Sequence, residues 1–161
     1  MIILYDWIDS NHCGKVFFCS SSPVWRHIFS DASLGNSKKM LILSGISLPL
    51  TIIGIFILNY LYYNSRPFVI THFDPIVSHI PDNGFPSDHA ALTFLIALII
   101  YKFNRKIGIF LFLISILVSI TRIYIGLHHF VDILAGMLLA VVSVILSQAI
   151  IKNFILKLTP K

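Results

Sequence analysis

Two polar clusters interrupt an otherwise apolar chain, and both carry residue types suited to phosphate chemistry. The first lies in NSRPFVITHFDPIVSHIPDNGFPSDH, residues 64–89, and contains Arg66, Ser87, Asp88 and His89. The second holds Thr121, Arg122, His128, His129 and Asp132. Asp132 follows His128 by four residues, so on a helix the two share one face. A carboxylate bonded to one imidazole nitrogen fixes the tautomer and makes the other nitrogen more basic, which suits a histidine nucleophile or base. The alternative is that these groups only pair with one another at a helix interface. Ionisable residues in or beside membrane spans are costly and functional by default, which favours chemistry.

Ser87 is well typed as a helix N-cap, and amides at a helix N-terminus form an anion site near which His89 would project. Taken alone, Pro86-Ser87-Asp88-His89 reads as a cap, with Asp88 complementing the helix dipole. Arg66-Pro67 offers a guanidinium fork suited to phosphate, although a lone arginine at a membrane edge is more often a snorkelling anchor. Two arginines, a helix N-terminus and the histidines His89 and His128 together make phosphate chemistry the better reading.

The elements that must position these residues are membrane helices. The chain has 161 residues, 57% hydrophobic and only 12% charged, which is far from a soluble composition. A net charge of +5 could imply nucleic acid, but no basic run or basic–aromatic interleaving supports that partner. Apolar runs predict four spans, at about 40–63, 89–101, 107–124 and 131–151. The expected architecture is therefore an all-α, polytopic membrane helix bundle. Residues 1–39 read as a weakly structured or interfacial segment, 40–152 as the membrane-embedded domain and 153–161 as a basic cytoplasmic tail. Cys13 and Cys19 have no metal-ligand or redox spacing. Lys38-Lys39, the Lys102–Lys106 turn and Lys152, Lys157 and Lys161 fall on one side, which the positive-inside rule makes cytoplasmic. Both polar clusters then face the extracytoplasmic surface.

Together the clusters resemble the type 2 phosphatidic acid phosphatase superfamily, lipid phosphatases related to the vanadium haloperoxidases. The family's Lys-x6-Arg-Pro motif is reduced here to Arg66-Pro67, with Asn59 at the lysine position. Its Pro-Ser-Gly-His motif reads Pro86-Ser87-Asp88-His89, and its Ser-Arg-x5-His-x3-Asp motif reads Thr121-Arg122, His128, Asp132 with the spacing intact. RPFV, DNGFPSDHA and NRKIG are similar to the bacitracin-resistance branch, the bacterial undecaprenyl-diphosphatases. The family usually has six spans, and residues 1–39 do not convincingly supply the two further helices.

The resemblance implies a phosphatase that acts through a phosphohistidine, with no metal or other cofactor. It makes His128 the nucleophile, Asp132 its orienting carboxylate and His89 the acid. Arg66, Arg122, Ser87 and Asp88 would form the phosphate-binding set. Asp88 is expected to hold Arg66 or Arg122 in place, since buried arginines without a counter-ion are costly. The substrate would be a phosphorylated lipid, foremost undecaprenyl diphosphate, handled at the outer face of the bacterial cytoplasmic membrane. Phosphatidylglycerophosphate, phosphatidate and lipid A remain alternatives, as does a non-enzymatic membrane subunit or transporter.

Overall fold

The computed structural model describes residues 36–72 and 79–158, with side chains over 37–72 and 79–153. The expectations for Cys13 and Cys19, and for nearly all of residues 1–39, lie outside the described residues. Four long helices follow in order: α1 over Asn36–Leu61, then, after the short α2 at Pro67–Thr71, α3 over Asp88–Phe103, α4 over Arg105–Tyr124 and α5 over Phe130–Leu158. Among the described residues α1, α4 and α5 are long and apolar enough to cross a membrane. The sequence reading counts α3 as a fourth span, but at 16 residues it is only about 24 Å long, short of a ~30 Å hydrocarbon core.

The position of α3 explains how so short a helix belongs in a membrane bundle. It packs against α1, α4 and α5, and α1 also packs against α5. Ala90, Ala91, Phe94, Leu95, Ala97 and Ile99 of α3 are all buried by those neighbours. The surrounding helices turn the other way: Phe56 on α1, Leu117 on α4 and Leu138 on α5 are each at least 60% exposed. Such a surface is stable only against lipid or another apolar partner.

Serine and threonine hydroxyls inside the bundle are satisfied locally. Ser47, Thr51, Ser115, Ser119 and Ser147 each donate to the carbonyl four residues back, at 2.6–2.9 Å. These bonds remove hydroxyl groups from an apolar interior where water cannot serve them. Small residues also allow membrane helices to approach closely.

One residue both ends α3 and begins α4. The Asn104 amide donates to Ile100 O at 2.7 Å, and its side-chain oxygen accepts from the Ile107 amide at 3.2 Å. The two helices then diverge slowly, so Gly108 lies directly on the Tyr101 backbone, where an added Cβ would overlap the Tyr101 Cα. The hairpin therefore requires a residue without a side chain at 108. Gly108→Ala should lower thermal stability in detergent by about 1–3 kcal/mol, the usual cost of overpacking. Gly45→Ala is the control, because nothing lies within 4 Å of the added methyl. Equal melting temperatures for the two variants would show that the hairpin is not so tightly constrained.

Candidate active site

The alternating helix directions bring both polar clusters to one end of the bundle, and backbone hydrogen bonds tie them there. Gly84 N donates to Asn64 O at 2.9 Å, Phe68 N to Gly126 O at 3.2 Å and Ser87 N to Asp132 O at 3.0 Å. A close helix approach permits the last of these. A Cβ on Gly136 of α5 would stand 2.5 Å from Ser87 O and 3.0 Å from Ala91 N. Glycine at 136 thus lets the first turn of α3 rest against α5.

His128 lies in the turn between α4 and α5 and is 4% exposed. The amides of Leu127 and His128 both donate to Arg122 O, at 3.1 and 3.3 Å, which folds the turn back over the end of α4. His128 Nδ1 is 2.8 Å from Gly84 O. A carbonyl only accepts, so this contact assigns the hydrogen to Nδ1 and leaves the Nε2 lone pair available. Asp132 Oδ2 is 3.7 Å from the same Nδ1, too long for a direct hydrogen bond. The sequence reading gave that bond to Asp132. It assumed a helix running through His128, whereas α5 begins at Phe130 and the ring turns toward the Gly84 loop.

Asp132 is fully buried and is held from several sides. Its Oδ1 accepts from Asn64 Nδ2 at 2.7 Å and its Oδ2 from the His129 amide at 2.7 Å. The His129 ring in turn contacts Ser65 O through Nε2 at 3.0 Å. Asp132 therefore supports His128 through proximity of charge and by fixing the loops around it.

Arg66 is 6% exposed and fixed along its whole fork. Nε donates to Asp82 Oδ1 at 2.6 Å, Nη1 to Leu127 O at 3.0 Å and Nη2 to Asn83 O at 3.4 Å. Nη1 also lies 3.5 Å from His128 Nε2, a long contact in which the guanidinium donates to the imidazole lone pair. Asp82, not Asp88, is thus the carboxylate that positions this arginine. Arg122 is half-buried at the end of α4, and among the described residues its side chain makes no hydrogen bond or ion pair.

The start of α3 differs from its expected role in one respect. Ser87 is fully buried and caps the helix, its Oγ accepting from Ala90 N at 3.4 Å. The Ser87 amide is bonded to Asp132 O and the His89 amide to Asp88 Oδ1. These amides therefore brace the protein instead of all pointing to an anion. Burial pushes the Asp88 carboxyl upward, but the hydrogen bonds and charge of His89 and the charge of His128 outweigh it, holding Asp88 below the usual carboxylate value.

Four residues of this end are not among the sequence-derived candidates: Asn64, Asp82, Asn83 and Gly84. Asn83 is a clasp: its Nδ2 donates to Asn59 O and Tyr62 O at 2.9 and 2.8 Å, while its Oδ1 accepts from the amides of Asn64 and Phe85. Asn59, at the lysine position of the family motif, donates to Phe85 O at 3.1 Å. Among the described residues no three His, Cys, Asp or Glu side chains converge as a metal-ligand set.

A membrane helix bundle with histidine, arginine and carboxylate gathered at one end is the architecture, and comparison with known proteins gives the family. Residues 40–156 match the PAP2 superfamily, and the chain belongs to it. It is 38% identical over 88 residues to "Bacitracin transport permease protein BcrC" of Bacillus licheniformis, covering 54% of this chain and 43% of that protein. It is 30% identical over 106 residues to "Undecaprenyl-diphosphatase BcrC" of Bacillus subtilis (strain 168), covering 66% and 55%. "Putative undecaprenyl-diphosphatase YbjG" of Escherichia coli (strain K12) is 27% identical over 114 residues, covering 70% and 58%. The chain thus aligns with only about half the length of the curated relatives it matches.

The Asn64–Asp132 bond is the most testable of the contacts that the sequence did not disclose. Asn64→Ala should remove one partner from a fully buried carboxylate and cost about 1–3 kcal/mol of stability. Thermal unfolding in detergent reads this directly. A wild-type melting temperature would mean that Asp132 Oδ1 is adequately served by other groups.

Proposed function

We propose that the chain is a membrane lipid phosphatase that removes the terminal phosphate of undecaprenyl diphosphate through a phosphohistidine. The observation that carries this reading is His128, buried with Nδ1 tied to Gly84 O and Nε2 beside the Arg66 guanidinium. Such an imidazole is fixed in orientation and presents its lone pair where a phosphate would be held.

In the first step His128 Nε2 attacks the terminal phosphorus. The N–P bond forms as the bridging P–O bond breaks, and its electron pair leaves on the lipid phosphate, which takes a proton from His89. Arg66 and Arg122 offset the charge that spreads over the transferring oxygens. Water then attacks the phosphohistidine. A new P–O bond forms, the N–P electron pair returns to Nε2, and His89 takes the proton of the water. Asp132 keeps the loops in register throughout and needs no change in its own protonation.

The names of two relatives, one undecaprenyl-diphosphatase and one "Putative undecaprenyl-diphosphatase", support the diphosphate substrate. A second reading comes from the third relative, whose name is a bacitracin transport permease. The convergence of an arginine fork, an oriented histidine and a buried carboxylate favours hydrolysis, since passage of a peptide needs no nucleophile. The purified protein should release inorganic phosphate from undecaprenyl diphosphate, in a panel with phosphatidylglycerophosphate, phosphatidate and lipid A. His128→Ala should abolish both release and the trapping of phosphate on protein. A phosphoenzyme at wild-type level in that variant would refute the nucleophile assignment, and release from phosphatidate alone would change the substrate.

We further infer that this end faces outward from the bacterial cytoplasmic membrane. Support comes from Lys38, Lys39, Lys102, Arg105, Lys106 and Lys152, which helix direction puts toward the opposite end. In a background without Cys13 and Cys19, Ile80→Cys should react with an impermeant thiol reagent on intact cells and Asn104→Cys should not. Both positions are exposed, so the comparison reads sidedness. Labelling of position 104 alone would invert the topology.

A further inference from the structure

Asp88 stands where the superfamily motif has glycine, and its carboxylate reaches the ring of the next residue. Asp88 Oδ1 lies 3.0 Å from His89 Nδ1 and 2.9 Å from the His89 amide. An ionised carboxylate can only accept, so this contact assigns a hydrogen to Nδ1. Nε2 is then the nitrogen that can give up and recover a proton. The two side chains are 47% and 57% exposed, so the pair stands on the open side of the site instead of inside the packed end. Ser87, two residues before His89, is tied through its amide to Asp132 O at 3.0 Å, which puts the start of α3 at the same end of the bundle as His128. The other nearby carboxylates are engaged elsewhere: Asp82 with Arg66, and Asp132 with Asn64 and the His129 amide.

We propose that Asp88 is a positioning residue that holds His89 with Nδ1 protonated and Nε2 presented to the leaving oxygen. This rests on the role given to His89 in the proposed reaction. During phosphoryl transfer the bridging P–O bond breaks and its electron pair moves onto the leaving oxygen. The Nε2 proton joins that oxygen, while the Nδ1 proton stays on the ring against Asp88, leaving His89 neutral. During hydrolysis Nε2 recovers a proton from the attacking water. Each of the two histidines thus has a carboxylate near its Nδ1, Asp132 for His128 and Asp88 for His89.

The consequence depends on what departs. A lipid diphosphate expels a phosphate monoester, a weak base whose second pKa is about 6. A lipid monophosphate expels an alkoxide, about as basic as hydroxide, whose parent water has a pKa of about 15.7. Proton donation matters far more for the second. A carboxylate that only capped the helix would affect both substrates alike.

The test uses the purified full chain with dodecyl diphosphate and dodecyl phosphate, which share a tail and differ in leaving group. Asp88→Gly should lower kcat/KM on the monophosphate by roughly ten-fold or more beyond its loss on the diphosphate, part of the 10²–10⁴-fold typical of general acids. Asp88→Asn retains an acceptor for both N–H groups and should lose less. In a His89→Ala background, Asp88→Gly should add nothing, because the two residues act as one unit. Equal losses on both substrates, or an undiminished loss in the His89→Ala background, would overturn the proposal. Nitrogen-15 histidine spectra in detergent give a readout apart from turnover. His89 should keep its hydrogen on Nδ1 in the wild type and become a tautomer mixture in Asp88→Gly. An unchanged spectrum would overturn the pairing even if neither substrate is hydrolysed. A changed spectrum without phosphate release would instead count against the phosphatase reading.

Discussion

The buried carboxylate of Asp132 is the constraint on which this end of the bundle depends. A charge removed from water is tolerable only when its oxygens are filled, and here Asn64 and the His129 amide fill them. The main chain of the same residue accepts from Ser87 N, which fixes where α3 begins. One residue therefore joins the loop after α1, the first turn of α3 and the turn into α5. His128 sits beside that junction, where the Gly84 carbonyl and not the carboxylate itself holds its ring. The carboxylate's own contacts fix the loops on either side of that histidine.

The rest of the fold supplies a rigid frame for that junction. A short, buried α3 at the centre allows its N-terminus to meet the loops from the three helices around it. Glycine at 108 and at 136 brings backbone against backbone at opposite ends of α3, so the helix has little room to slide. Hydroxyls on the packed faces close back onto their own helices and make no demand on neighbours. Large aliphatic side chains are left for the outside, as lipid as solvent requires.

Departures from the superfamily motifs take on structural meaning at this end. Asn59 stands where a lysine is usual, and its side chain joins the Phe85 carbonyl as part of the clasp centred on Asn83. Asp88 stands where glycine is usual, and its carboxylate engages the His89 ring. Arg66 is balanced by Asp82, a residue outside all three motifs. The histidines and arginines of the pattern are present in this chain, while the groups that hold Arg66 and His89 differ from those the motifs suggest.

Much of this was legible in the sequence because its causes are local. Apolar runs fix helices by length, Ser87 marks a helix start by its side chain, and spacing sets His128 near Asp132. The alternation of basic and polar junctions placed both clusters at one end before any contact was known. Tertiary structure decided the partners. Asn64 meets Asp132 across 68 residues, and Arg66 meets Asp82 across 16. In the sequence Asn64, Asp82 and Asn83 look like ordinary turn residues. The decisive acceptor for His128, the Gly84 carbonyl, belongs to the backbone, which every residue shares and no residue type announces. Spacing along the chain can say which side chains share a helix face. It cannot say which carbonyl a returning loop will bring to them, because that depends on how closely the helices pack.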